Sequence, residues 1–255
     1  MSELRDFVEF EEGNIPLIIS VPHGGILECS SIPERTKGVL GIDKGTFEFS
    51  KNLIEQISLK FKAKTILHKA PFYIFSKVRR SKIDLNREKS EAYNQNSFLA
   101  REIYKFYHTK IQEWVFNNLK RYGRSLMIDI HGFEKGRRPP GFRDVDVILG
   151  TNNLESFFPE PIPKKNWGKN LRGKLIQKFL QLDIPIAPGH PRRREYVLSG
   201  GYITRKYGAS HVPKSQTIQI EFSDRIRIDD KELRENVIRV ITDILFKDLT
   251  HVYDY

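Results

Sequence analysis

The chain has 255 residues, 39% of them apolar and 29% charged, a balance that suits one globular domain spanning 1–255. No run of eighteen apolar residues occurs, so no membrane span is expected, and Met1–Glu12 lacks the basic-then-apolar order of a secretory leader; the single cysteine, Cys29, fits a reducing, cytoplasmic setting. The net charge of +11 favours anionic partners.

In chain order, Ile15–Val21 (IPLIISV) is a compact apolar run ended by Pro22 and reads as a buried strand. Thr46–Phe61 reads as a helix, with Phe49, Leu53, Ile57 and Phe61 spaced at four. Lys64–His68 reads as a short strand. Ser97–Arg121 is a long helix, with Leu99, Ile103, Phe106, Ile111, Trp114 and Leu119 near one stripe. Ser125–Ile130 (SLMIDI), Val145–Leu149 and Thr217–Phe222 (TIQIEF) are further strands. Trp167–Leu182 and Lys231–Phe246 are further helices. Strands alternating with helices of this length indicate an α/β sandwich, and the apolar strands suit a central sheet covered on both faces. In such sheets functional residues gather at the carboxyl ends of strands.

Three polar residues sit there. His23 follows the first strand, His131 follows SLMIDI and Glu221 lies late in TIQIEF. Each alone is compatible with a structural role; three such endings in one chain point to a shared cleft. Asp129 and His131 are two apart, so both side chains face one side of their strand, where the carboxylate could orient the imidazole. Asp84-Leu85-Asn86-Arg87 offers a guanidinium and an amide suited to gripping a carboxylate. Gly200–Arg205 (GGYITR) offers a pliable backbone, a phenol and another guanidinium. With Cys29 the single cysteine, any metal site must draw mainly on His, Asp and Glu. The basic clusters around 77–82, 137–143 and 192–194 are short and broken. No zinc-finger, RNA-recognition or basic-zipper pattern accompanies them, so a small anionic substrate is expected rather than nucleic acid.

Together SVPHGG (20–25), DLNR (84–87), DIHG (129–132), GGYITRKYG (200–208) and IQIEFS (218–223) resemble the N-formylglutamate amidohydrolase family, in its order. Arg143, Asp146 and LGT (149–151) extend the likeness. The resemblance implies a zinc-carboxypeptidase-like (phosphorylase/hydrolase-like) fold, a three-layer α/β/α sandwich on a mixed sheet. It implies one zinc ion per chain, held by His23, His131 and a carboxylate. Asp43 is the best match for that carboxylate and Glu28 the runner-up. Glu221 matches the catalytic carboxylate. Asn86, Arg87, Arg143, Gly201, Tyr202 and Arg205 fall where substrate would be bound, with Arg143 also a candidate for steadying the oxyanion. The expected reaction is hydrolysis of the amide of an N-acyl acidic amino acid. The alternatives are a metallo-carboxypeptidase or an amidase on other N-acyl or γ-glutamyl substrates, or a basic nucleic-acid binder on a hydrolase-like fold. The chain departs from the family pattern at Gly132, where serine is usual, in the charged stretch Arg192–Glu195 and at 133–140.

Overall fold

The computed structural model describes residues 3–64, 69–137 and 144–250. Seven strands form one sheet: β1 (Val8–Glu11), β2 (Leu17–Val21), β3 (Phe72–Ser76), β4 (Ser125–Phe133), β5 (Val147–Gly150), β6 (Ile186–Ala187) and β7 (Ser215–Ser223), in the order β1-β3-β2-β4-β7-β5-β6. The four central strands β3, β2, β4 and β7 are parallel. Antiparallel β1 and β5 flank them, and β6 runs parallel to β5, so the sheet is mixed, as expected. The helices are α1 (Thr46–Lys64), α2 (Lys89–Ala92), α3 (Phe98–Tyr122), α4 (Leu171–Gln181), α5 (Tyr202–Tyr207) and α6 (Lys231–Thr250).

Local chemistry sets the helix ends. The Ser97 hydroxyl accepts from Ala100 N (3.2 Å) at the start of α3, and Gly123, at φ +70°, closes it by donating to Leu119 O. Asn170 caps α4 by accepting from Gly173 N at 3.0 Å. Capping therefore starts α4 at Leu171 rather than at Trp167, whose indole donates instead to Ile162 O (3.1 Å). The expected strand at Lys64–His68 is not formed at Lys64, which ends α1; the rest of it lies outside the described residues. Three strands were not expected: β1, whose VEFE alternation is diluted by acids at a sheet edge, the central β3, and the two-residue β6.

Alternation along the central strands gives the sheet two unlike faces. Leu17, Ile19 and Val21, Leu126, Ile128 and Ile130, and Ile218, Ile220 and Phe222 form one core with α1, α4 and α6. On the other face Ile18, Ile74 and Met127 pack with α3 and α5. That makes three layers. The second face turns polar toward the strands' carboxyl ends. Ser20 is beside Asp129, Asp129 beside Gln219, and His131 beside Glu221. Buried polar groups are costly unless bonded, and this row is bonded. The Ser20 hydroxyl donates to Asp129 Oδ1 (2.7 Å) and lies 3.0 Å from the Tyr107 hydroxyl of α3. The backbone thus delivers a rigid polar row to one edge of an otherwise apolar sheet.

Candidate active site

Two loops and one strand end meet at that edge. His23 leaves β2 through Pro22, His131 ends the buried part of β4, and Asp43 stands on the loop before α1. All three are buried. Backbone bonds fix Asp43: its N–H donates to His23 O (2.9 Å), and its carbonyl accepts from the Thr46 hydroxyl (2.6 Å). Its Oδ2 accepts from Gly132 N at 3.1 Å.

Each imidazole is oriented by its own carboxylate. His23 Nε2 donates to Asp84 Oδ1 (2.7 Å), and His131 Nε2 donates to Asp129 Oδ2 (2.8 Å). A carboxylate only accepts, so both rings carry their proton on Nε2. The two Nδ1 atoms then face each other at 3.1 Å, with Asp43 Oδ2 at 3.6 and 3.3 Å. One donor atom from each of the three residues lies within 4.8 Å of the others. Two imidazole lone pairs and a carboxylate converge on one point, an arrangement that calls for a cation. A second proton, on Nδ1, can meet the same demand at His131: burial lowers its pKa, but Asp129 and Asp43 outweigh that and push it up to about 10. Burial raises the Asp43 carboxyl, yet bonds to His131 and His23 hold it well below the usual carboxylate range. These residues could hold a metal ion, and the donor set of two nitrogens and one oxygen, with a carboxylate behind each imidazole, suits zinc.

Glu221 faces the same point from β7. Burial raises its pKa, with Asp43 adding and His131, Gln219 and Arg80 opposing. Gln219 Nε2 donates to Glu221 Oε1 (3.0 Å), while Gln219 Oε1 accepts from Gly201 N (2.6 Å). Arg225 is not its partner; that guanidinium reaches Asp146 (3.3 Å) and Asp230 (3.2 Å).

The group opens into a cleft of about 540 Å³ whose lining includes Asn86, Arg87, Gly201, Tyr202 and Arg205. The DLNR and GGYITR segments are physically joined there. Asn86 Oδ1 accepts from Ile203 N (2.8 Å), and a Cβ on Gly201 would come within 2.2 Å of Asn86 Nδ2, so only glycine lets the turn approach. Arg87 leans on Asp84 (3.5 Å) and Glu91 (3.4 Å), and Arg205 on Gly200 O (2.9 Å). Arg143 lies outside the described residues.

The structure separates the two carboxylates considered for the third ligand. Glu28 is exposed and paired with Arg79 at 2.6 Å, whereas Asp43 stands against both histidines. Asp84 had been read only as part of a substrate grip. It is fully buried and supports His23, with Arg80 (3.1 Å) and Arg35 (3.6 Å) behind it. Arg80, Gln219 and Arg227 also line the cleft and were not anticipated. For Gln219 the signal was present, a polar residue sharing Glu221's face of an apolar strand. Two of the three departures have structural partners; of the third, 138–140 lie outside the described residues. A Cβ at Gly132 would meet Arg227 Cζ at 2.4 Å. Glu195 is buried against Arg172 (2.9 Å) and accepts from Thr151 N (3.0 Å) and Asn153 N (2.9 Å), clasping the segment before α5.

No family model and no curated protein sequence matches the chain. Solved structures do match. The chain is similar to N-formylglutamate amidohydrolase from Ralstonia eutropha JMP134, at 13% identity and a TM-score of 0.65, over 97% of this chain and 98% of that one. It is equally similar to a gene product of Agrobacterium tumefaciens, at 13% identity and a TM-score of 0.65, over 100% and 99% of the two chains. At this identity the likeness establishes the shared α/β fold from end to end. Among the described residues no helix is long and apolar enough to cross a membrane.

Proposed function

We propose that the chain is a zinc-dependent amidohydrolase that cleaves the amide bond of an N-acyl acidic amino acid, of the N-formyl-glutamate kind. The observation that carries the reading is the convergence of His23, Asp43 and His131 beside Glu221, at the floor of a cleft that arginines enter. The similarity in fold to an N-formylglutamate amidohydrolase agrees with it.

His23, Asp43 and His131 would hold the zinc, which when bound makes a water more acidic and polarises the scissile carbonyl. Glu221 takes the proton of the attacking water and delivers it to the leaving amine. Its raised pKa suits a group that must both accept and release a proton. Gln219 holds the Glu221 carboxylate in place through its 3.0 Å bond. Asn86, Arg87, Tyr202 and Arg205 grip the substrate's carboxylate, with Gly201 shaping the turn and Arg143 a further cation for carboxylate or oxyanion. Cys29, the single cysteine, fits a reducing, cytoplasmic setting.

Metal analysis of the purified protein and a hydrolysis assay on N-formyl-glutamate, other N-acyl amino acids, γ-glutamyl amides and peptides test this together. About one zinc per chain and turnover on acidic N-acyl substrates, abolished by chelation and restored by zinc, are expected. Preference for C-terminal peptide bonds or γ-glutamyl chains would shift the reading to a carboxypeptidase or another amidase. Salt-sensitive nucleic-acid binding without metal-dependent turnover would remove it.

A further inference from the structure

Arg227 is a buried charge that the protein leaves without an anion. It lies on the π-helical turn Arg225–Asp229 after β7, is 2% exposed, and forms part of the cleft wall. Two of its three nitrogens are tied to the ends of the two strands that carry His131 and Glu221. Nε donates to Phe222 O at 2.9 Å and Nη2 to Phe133 O at 3.0 Å. Nη1 is buried and has no acceptor. Among the described residues no carboxylate oxygen lies within 4.0 Å of the guanidinium. Asp43, Asp224, Glu134 and Glu221 act on it only through space. The neighbouring cleft arginine Arg80, by contrast, sits 3.1 Å from Asp84.

An isolated buried cation is expensive, and folds seldom tolerate one without a reason. Here the surroundings are shaped to keep it. Gly132 follows the ligand candidate His131 directly. Any side chain there would drive its Cβ into Cζ (2.4 Å), Nε (2.5 Å) and Nη1 (2.8 Å) of Arg227. The glycine is therefore the space in which the guanidinium rests. A divalent cation on His23, Asp43 and His131 would add positive charge beside it and make the missing anion more necessary.

We propose that Arg227 is a specificity-determining residue whose unpartnered Nη1 receives a carboxylate of the substrate at the inner end of the cleft, with Gly132 leaving the room in which the guanidinium sits. The inference rests on the amidohydrolase reading for its substrate class, a carboxylate-bearing amide, and adds a third guanidinium to the grip formed in the cleft by Arg87 and Arg205. Two carboxylates on one small molecule, as in an acidic amino acid, would satisfy Arg227 and that pair together.

The test is binding rather than turnover. Calorimetry with glutarate, and with its neutral isostere glutaramide, is run on wild type, Arg227→Met, Arg227→Lys and Gly132→Ala, with zinc content measured on each preparation. Glutarate should bind the wild type well ahead of glutaramide. Arg227→Met should weaken glutarate by about thirtyfold or more, the scale for removing one partner of a buried charge pair, and leave glutaramide unchanged. Arg227→Lys should recover part of the loss, since it restores charge without the fork. Gly132→Ala should weaken glutarate while keeping the arginine, because the added methyl displaces the guanidinium. Equal glutarate affinity in wild type and Arg227→Met overturns the proposal and leaves Arg227 a structural tie between two strand ends. If Arg227→Met does not fold, equal affinity in both Arg227→Lys and Gly132→Ala overturns it instead. A wild type that does not prefer glutarate overturns it as well. Failure of the amidohydrolase reading shows separately, as absent amide turnover in a wild type that still binds glutarate.

Discussion

His131 and Glu221 are register partners on the parallel strands β4 and β7, so their side chains emerge on the same face of the sheet. That relationship places a carboxylate beside a ligand candidate without any loop having to find its position. It also separates two roles that look alike in sequence. In Glu221→Gln the amide keeps the bond to Gln219 but cannot take a proton at neutral pH. Turnover should fall by roughly a hundredfold or more, the usual scale for losing a general base. Zinc content and melting temperature should stay near wild type. A variant that melts early but turns over normally per folded molecule would make Glu221 a structural residue.

The third ligand can be decided by metal content. Asp43→Asn and His131→Ala should each lose most of the zinc, because each removes one of three converging donors. Glu28→Gln should lose none, since Glu28 is exposed and engaged with Arg79. Full zinc in Asp43→Asn would require another carboxylate.

Asp84 makes no contact with the point where the three donors meet, yet its loss should be felt there. It accepts from His23 Nε2 and is enclosed by Arg80, Arg35 and Arg87. Asp84→Asn lets the His23 ring change tautomer and leaves those arginines short of a partner. Zinc affinity should drop by roughly ten- to a hundredfold, measured by competition with a chelator. Stability should fall as well, by about 3 kcal/mol for a broken buried pair. Unchanged affinity would mean that the imidazole is held by packing alone.

Arg205 should discriminate by charge. Arg205→Met is expected to raise KM for acidic N-acyl substrates at least tenfold and to leave neutral amides nearly untouched, since a guanidinium–carboxylate contact is lost. Arg143→Met should behave similarly. Equal losses on acidic and neutral substrates would assign the residue to positioning Gly200 and its turn.

Much of this site was readable because the strands that carry it are short, apolar and interrupted by few polar residues. His23, His131 and Glu221 stand out against IPLIISV, SLMIDI and TIQIEF, and period-two logic puts Asp129 with His131 and Gln219 with Glu221. The expectation for Asp43 rests on the family resemblance rather than on physics; nothing in IDKGTFEF says that its loop folds back against His23. The supports were hidden for the same reason. Asp84 lies 61 residues from His23, and Arg227 lies 95 from Gly132. Only the tertiary fold shows which acid serves which imidazole. The helix and strand limits shifted where caps decide them, as Asn170 does for α4.

His108 offers a test of the fold that is independent of the catalytic group. It lies on α3, buried, with Nδ1 2.9 Å from the Tyr207 hydroxyl and Nε2 donating to Leu85 O at 3.1 Å. It therefore ties α3 to both α5 and the DLNR segment. Burial, together with the nearby Lys206 charge, lowers its pKa to about 3, against a weaker opposing effect of the Leu85 carbonyl. In the unfolded chain the same imidazole titrates near 6.5. Between those two values the unfolded state binds a proton that the folded state refuses, so stability must fall as pH falls. The contribution is complete above pH 6.5 and drains away at up to about 1.4 kcal/mol per pH unit below it. Urea unfolding of wild type and His108→Gln at pH 7.5, 6.5, 5.5 and 4.5 isolates the effect, because every other titrating group is common to both. The variant should be less stable at pH 7.5, where the imidazole bonds are lost. The gap should then narrow as the pH drops, since only the wild type carries the His108 penalty. A gap that stays constant from pH 7.5 to 4.5 would show that His108 takes up its proton in the folded protein, and that α3 and α5 accommodate the charge.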